Sequence, residues 1–114
     1  MENKGGEYMI DLRQKDLEKW QRKNFEHVTS EQLALGMAEE VGELCHYILK
    51  RAQGIREAAG NDVKLEIADA FGDVMIFGIN LMTNEGLDAE KVIKETIELV
   101  LKRDWVLNQK TGEK

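Results

Sequence analysis

A chain of 114 residues with 42% apolar and 33% charged residues has the size and composition of a single soluble globular domain spanning 1–114, with a core small enough to gain from oligomerisation. Its net charge of −6 and the lack of any basic stripe exclude a nucleic-acid polymer or an anionic membrane as the main partner, and suit a protein that concentrates divalent cations. No run of about 18 apolar residues occurs, and Met1–Gly6 lacks the apolar stretch of a signal peptide, so a cytoplasmic protein is expected.

Proline is absent and no long alternation of β-branched with polar residues occurs, which predicts an all-α fold. After a frayed lead, Met1–Gly6, the residues Met9, Leu12, Leu17 and Trp20 recur at near-helical spacing and predict a first helix from about Tyr8 to Lys23, with a break in the pattern at Asp16. Asn24–Val28 connects it to a second helix. Thr29 followed by Gln32 has the form of a capping box, so that helix begins near Ser30. It runs to about Ala52 with Leu33, Met37, Val41, Leu44 and Ile48 on one apolar stripe, widened by Ala34 and Cys45. Cys45, the sole cysteine, reads as a small buried hydrophobe rather than a catalytic thiol. Gln53-Gly54 ends the helix and Ile55–Gly60 links it to the next.

Asn61 and Asp62 suit a helix start, and Val63, Ile67, Ala70, Val74, Phe77 and Leu81 form the core stripe of a third helix. Asn84-Glu85-Gly86 stops it. Asp88 caps a fourth helix carrying Val92, Ile93, Ile97, Val100 and Leu101, with Trp105 at or just past its end and a loose polar tail, Asn108–Lys114. The expected architecture is a four-helix bundle-like protomer.

Two acidic tetrads stand out on the second and third helices: Glu40-Val41-Gly42-Glu43 and Glu66-Ile67-Ala68-Asp69. Acids three residues apart are neighbours on one helical face, where they repel unless a cation is present. In each helix the acids lie at the rim of the apolar stripe, the stripe's centre falling roughly 70° from the first acid and the second acid about 60° to the other side. If the two helices pack antiparallel, as their short connection favours, the carboxylates converge at the edge of one interface. Four such charges cannot all stay ionised without compensation, and Mg²⁺ or Mn²⁺, hard cations that prefer carboxylate oxygen, can supply it. A single tetrad reads most simply as a solvated charged face; the doubled pattern, the shared geometry and the scarcity of nearby basic partners favour a site.

Gly36 and Gly42 interrupt the second helix, and Gly72 and Gly78 the third, each at a cost of about 1 kcal/mol against alanine. Close approach of another helix is the expected compensation; the alternative is solvent-side glycines that merely weaken the helices.

With these motifs in place, the sequence resembles the all-α nucleoside triphosphate pyrophosphohydrolases of the MazG-like group, over roughly Trp20 to Trp105. The resemblance is carried by Glu39-Glu40-Val41-Gly42-Glu43 followed by Glu66-Ile67-Ala68-Asp69 in an all-helical setting. It implies Mg²⁺-dependent hydrolysis of a nucleoside triphosphate between the α and β phosphates. It further implies that Glu40, Glu43, Glu66 and Asp69 are metal ligands, and that Glu39 orients or deprotonates the attacking water. It also implies a homodimer or homotetramer, in which neighbouring chains complete the pocket.

Asp73, one turn beyond Asp69, is a candidate extra ligand or nucleotide contact, with a solvated acid as the alternative. Asn80 lies two turns beyond Asp73 on the same side and is a candidate substrate contact or an interhelical amide. Trp20 and Phe25 can stack on a nucleobase or pack in the core. Lys50, Lys102 and Arg103 are the cations best placed to meet phosphate oxygens, or else surface side chains.

Two other classes compete. Glu43-Leu44-Cys45-His46 has the Glu-x-x-His form used by di-iron helical bundles, but the third helix supplies no second such pair and His27 is the only other histidine. A non-enzymatic helical scaffold or antitoxin-like binding partner would use the acids only as solubilising surface.

Overall fold

The computed structural model describes residues 10–55, 61–104 and 106. Its elements are α1 (Gln14–Phe25), α2 (Ser30–Ala52), α3 (Asn61–Asn84) and α4 (Ala89–Leu101). The chain is all-α: among the described residues there is no strand. The expected lead at Met1–Gly6, the residues Tyr8 and Met9, the linker residues 56–60, Trp105 and the tail from Asn108 lie outside the described residues.

Local chemistry sets the helix limits. Thr29 accepts from the Gln32 backbone N–H while the Thr29 N–H donates to the Gln32 side chain at 3.0 Å, so the capping box fixes the start of α2 where the sequence placed it. Gly54 and Gly86, at φ 72° and 71°, take the left-handed turn that ends α2 and α3. Beyond them, the Ile55 N–H reaches back to the Lys50 carbonyl at 3.1 Å and the Leu87 N–H to Met82 at 2.8 Å, closing both helix ends. The Asp88 side chain caps α4 by accepting from the Lys91 N–H.

The first helix is the exception. It starts at Gln14 rather than near Tyr8 and continues to Phe25. The reason is local: the Arg13 N–H donates to the Asp11 carboxylate and the Leu12 N–H to Glu90, both at 2.9 Å, so these amides serve a turn and a cross-link instead of a helix. Arg13 itself is left-handed at φ 53°. The side chain of Gln14 then ties three elements together. It donates to the Thr83 hydroxyl and the Leu87 carbonyl and accepts from the Ala89 N–H at 2.8 Å, joining the start of α1, the end of α3 and the start of α4.

The molecule is built on an antiparallel pair, α2 against α3, with α1 packed on α3 and α4 touching α3 lightly. The direction of the pair follows from its contacts. Gly36 of α2 lies under the Phe77 ring, and Met37 packs over Gly78, where an added Cβ would meet the methionine Cε at 3.2 Å. Glu40 faces Asp73 and Tyr47 faces Glu66, so each turn forward along α2 is one turn back along α3. Gly36 and Gly78 thus admit a close neighbour, as expected. Gly42 and Gly72 do not, because the space beside each is open.

Leu33, Val63, Ala70, Val74, Ile79 and Ala89 form the buried apolar core. The outer part of the α2 stripe departs from expectation: Val41 and Ile48 are exposed, since among the described residues α3 is the extensive partner of α2 and the stripe is wider than that contact. Cys45, on the same flank, is exposed rather than buried. On α4, Ile97, Val100 and Leu101 are exposed as well, because few of the described residues pack against that helix.

Candidate functional site

The acids of the two tetrads lie along the α2–α3 seam. Glu39, Glu40 and Glu43 project from the middle of α2, and Glu66, Asp69 and Asp73 from the stretch of α3 between its start and its middle turn. Glu40 is half-buried; the other acids are exposed. Partial burial, followed by the charges of Asp73, Glu43 and Glu39, holds the Glu40 carboxyl above its ordinary value. Asp73 is the strongest charged influence on Glu40 and comes from the opposite helix, so the two carboxylates face each other across the seam.

A second neighbourhood begins one turn along α2, at Tyr47. It faces Glu66 across the seam. The Glu66 carboxylate, through its charge and as a hydrogen-bond acceptor, followed by partial burial and the charges of Glu43 and Asp69, pushes the phenol above its ordinary value. Glu43 influences both neighbourhoods and links them. Tyr47 is the residue that reading the acids alone passes over. The available signal was its spacing: it follows Glu43 by one helical turn and therefore shares its side of α2.

No lysine or arginine forms an ion pair with any of these acids among the described residues; the ion pairs present, Arg13–Asp16 and Arg22–Glu18, belong to α1. The seam therefore carries uncompensated negative charge. Among the described residues, no group of three or more His, Cys, Asp or Glu side chains is gathered tightly enough to form a ligand shell as the side chains stand. Like charges with nothing between them spread apart. The donor set nevertheless fits a hard divalent cation: every donor is a carboxylate, no basic side chain among the described residues is paired with them, and Glu40 sits where losing its proton is already disfavoured.

The remaining candidates are scattered. Asn80, two turns along α3 from Asp73, is 3% exposed, and its Oδ1 has no hydrogen-bond partner among the described groups. Trp20 and Phe25 are exposed rather than core, and pack edge-to-face on each other with ring centroids 5.6 Å apart. Lys50 is half-buried near the end of α2. Lys102 and Arg103 close α4, and no hydrogen bond or ion pair among the described residues joins either to the acids. His46 is exposed with its ring edge-on to Tyr47, and His27 lies in the α1–α2 connection. Two concave surfaces among the described residues lie elsewhere, one beside Asp11, Gln14, Thr83 and Glu90 and one beside Gln21, His27 and Asn84, and neither contains an acid of the seam.

Comparison with known proteins bears on this seam. A family model described as the MazG nucleotide pyrophosphohydrolase domain matches residues 28–105, which takes in every acid of the seam and all of α2, α3 and α4, and leaves Trp20 and Phe25 outside. No curated protein and no solved structure matches the chain.

Proposed function

This chain belongs to the MazG nucleotide pyrophosphohydrolase family, and on that premise we propose that it hydrolyses a nucleoside triphosphate, ribo or deoxy, to the monophosphate and pyrophosphate. The observation that carries the proposal is the seam: carboxylates from two antiparallel helices, without a basic partner among the described residues, on the matched part of the chain. Glu40, Glu43, Glu66 and Asp69 are the residues that would hold Mg²⁺, or Mn²⁺ in its place, and Asp73 adds an oxygen donor beside Glu40. When bound, the ion neutralises phosphate charge and makes the α-phosphorus more open to attack.

The chain's own groups do the rest. Glu39, exposed and adjacent to Glu40, accepts the proton of the water that attacks the α-phosphorus as pyrophosphate leaves. Asn80 supplies a buried amide oxygen without a partner, suited to accept a hydrogen bond from a nucleobase amino group. Lys50, Lys102 and Arg103 are the cations available for the outer phosphates, and Trp20 and Phe25 offer exposed rings for stacking.

The open seam and the exposed α4 residues Ile97, Val100 and Leu101 also support a homodimer or homotetramer in which a neighbouring chain walls the site. The proposed setting is the cytoplasm, with a role in clearing the nucleotide pool; among the described residues no helix is long and apolar enough to cross a membrane.

The test is pyrophosphate release from a panel of standard and oxidised triphosphates at millimolar Mg²⁺. Release that is lost in Asp69→Asn, with helical content kept, supports the proposal. A wild-type chain that binds no Mg²⁺ and releases no pyrophosphate from any triphosphate would instead fit the scaffold reading.

A further inference from the structure

Among the described residues, α4 is held to the rest of the chain at one end. Its first residue, Ala89, is 1% exposed, Val92 and Ile93 are half-buried, and every side chain from Lys94 to Leu101 is exposed. The polar attachments gather at the same end. The Gln14 side chain accepts from the Ala89 N–H at 2.8 Å and donates to the Leu87 carbonyl at 2.9 Å and the Thr83 hydroxyl at 3.0 Å. The Glu90 carboxylate accepts from the Leu12 N–H at 2.9 Å. Two residues at the entry to α1 thus grip the first turn of α4, across sequence separations of 75 and 78 residues.

The connection that precedes this turn can absorb a change of direction. It contains Gly86 at φ 71°, a residue without a Cβ, and the space beside that glycine is open. A concave surface bordered by Gln14, Gly86, Leu87 and Glu90 leaves room at the same junction. The leverage is large. A helix of 13 residues is roughly 20 Å long, so a turn of about 20° about its first residues moves its far end by roughly 7 Å. Lys102 and Arg103 follow that end, and their distance from the acidic seam therefore depends on the angle at which α4 leaves α3.

We propose that Leu12 and Gln14 form a latch that sets the angle of α4, and that its release lets α4 swing about the Gly86 connection as a lever carrying Lys102 and Arg103. The two halves of the latch differ in strength. The Leu12–Glu90 bond is exposed, so water replaces it at small net cost. The Gln14–Ala89 bond is part-buried, and cutting it leaves a backbone N–H with less access to water. Gln14 is therefore the main restraint and Glu90 the lesser one. The latch stands on these hydrogen bonds alone, whether or not the seam binds a cation.

The experiment is a distance measurement by pulsed electron resonance on the full chain, with one spin label on the native Cys45, exposed on α2, and one on Glu98→Cys, exposed near the far end of α4. Labelled chain is diluted into an excess of unlabelled chain, so that distances within one chain are read. Amide exchange is followed on the same variants without labels. The expected result is a single narrow distance with the latch intact, a clearly broader distribution in Gln14→Ala, and a smaller broadening in Glu90→Ala. Amides from Val92 to Leu101 should exchange about 10-fold faster in Gln14→Ala, while those of Leu33 and Val74 are unchanged. Glu90→Ala leaves Gln14 in place, so its broadening is read even if Gln14→Ala fails to fold. Unchanged distances and exchange in the folded variants overturn the latch, since other parts of the chain or a second copy would then be holding α4. Equal acceleration in α2 and α3 also overturns it, because Gln14 would then support the whole fold. A distribution already broad with the latch intact overturns it as well.

Discussion

Leu33 on α2 and Leu101 on α4 occupy equivalent places on the apolar stripes of amphipathic helices, yet Leu33 is 1% exposed and Leu101 is 78% exposed. The difference lies in what each helix faces. α2 and α3 are of nearly equal length, run antiparallel, and come close where Gly36 and Gly78 leave room for Phe77 and Met37. α4 is a 13-residue helix that departs from α3 after the Gly86 turn, and its strongest attachments are at its first residues, through Gln14 to Ala89 and Leu12 to Glu90. Apolar periodicity specifies that a face prefers cover. It does not specify what covers it.

The contrast can be tested by paired substitutions. Leu33→Ala removes a fully buried side chain and is expected to cost about 2–5 kcal/mol, whereas Leu101→Ala in the dissociated chain should change stability by no more than about 0.5 kcal/mol. Urea denaturation at low protein concentration measures both. A loss in Leu101→Ala comparable to that in Leu33→Ala would show that α4 is packed within the chain. The same pair at high concentration sharpens the comparison, since a cost for Leu101→Ala that appears only there locates the cover in another copy.

The glycines offer a smaller effect along the same line. In Gly36→Ala, overpacking against Phe77 costs about 1–3 kcal/mol and helix propensity returns about 1 kcal/mol, leaving a net loss of roughly 0–2 kcal/mol. Gly42→Ala meets open space and should gain about 0.5–1 kcal/mol instead. Gains of equal size at both positions would mean that α2 and α3 are not in close contact at Gly36.

The smallest effect belongs to the seam itself. The Glu40 carboxyl is raised above 4.5 in the folded chain, first by partial burial and then by Asp73, Glu43 and Glu39, so the folded state favours its protonated form. Its contribution to stability is full below 4.5 and is lost as pH rises through the raised value. Without divalent cations, Glu40→Gln should therefore melt above the wild type at neutral pH, with the gap closing toward pH 4.5. Added Mg²⁺ should narrow the gap from the other side, by stabilising the wild type more than the variant. Melting curves across pH with and without Mg²⁺ measure this; a Glu40→Gln chain less stable at neutral pH would mean that the carboxylate is compensated.

Much of this organisation is legible in the sequence because it depends on short-range chemistry. Thr29 with Gln32, Asp88, Gly54 and Gly86 fix helix limits by local hydrogen bonds and backbone preference, and they appear where the spacing places them. The start of α1 was hidden because it depends on the remote acceptor Glu90, distant in sequence. The acids were legible as a doubled motif, but their grouping was not: that Asp73 pairs with Glu40, and Tyr47 with Glu66, follows from the register of two helices. Exposure of Val41, Ile48, Cys45 and most of α4 was equally hidden, because it depends on how many partners a helix finds.

The central claim is that carboxylates along the α2–α3 seam serve phosphate chemistry through a divalent cation. Its most direct test is pyrophosphate release from the preferred triphosphate by wild type and Glu40→Gln at matched Mg²⁺, with circular dichroism on the same samples. The account predicts Mg²⁺-dependent release by the wild type and none by Glu40→Gln, at equal helical content. Undiminished release by a fully folded Glu40→Gln would contradict it.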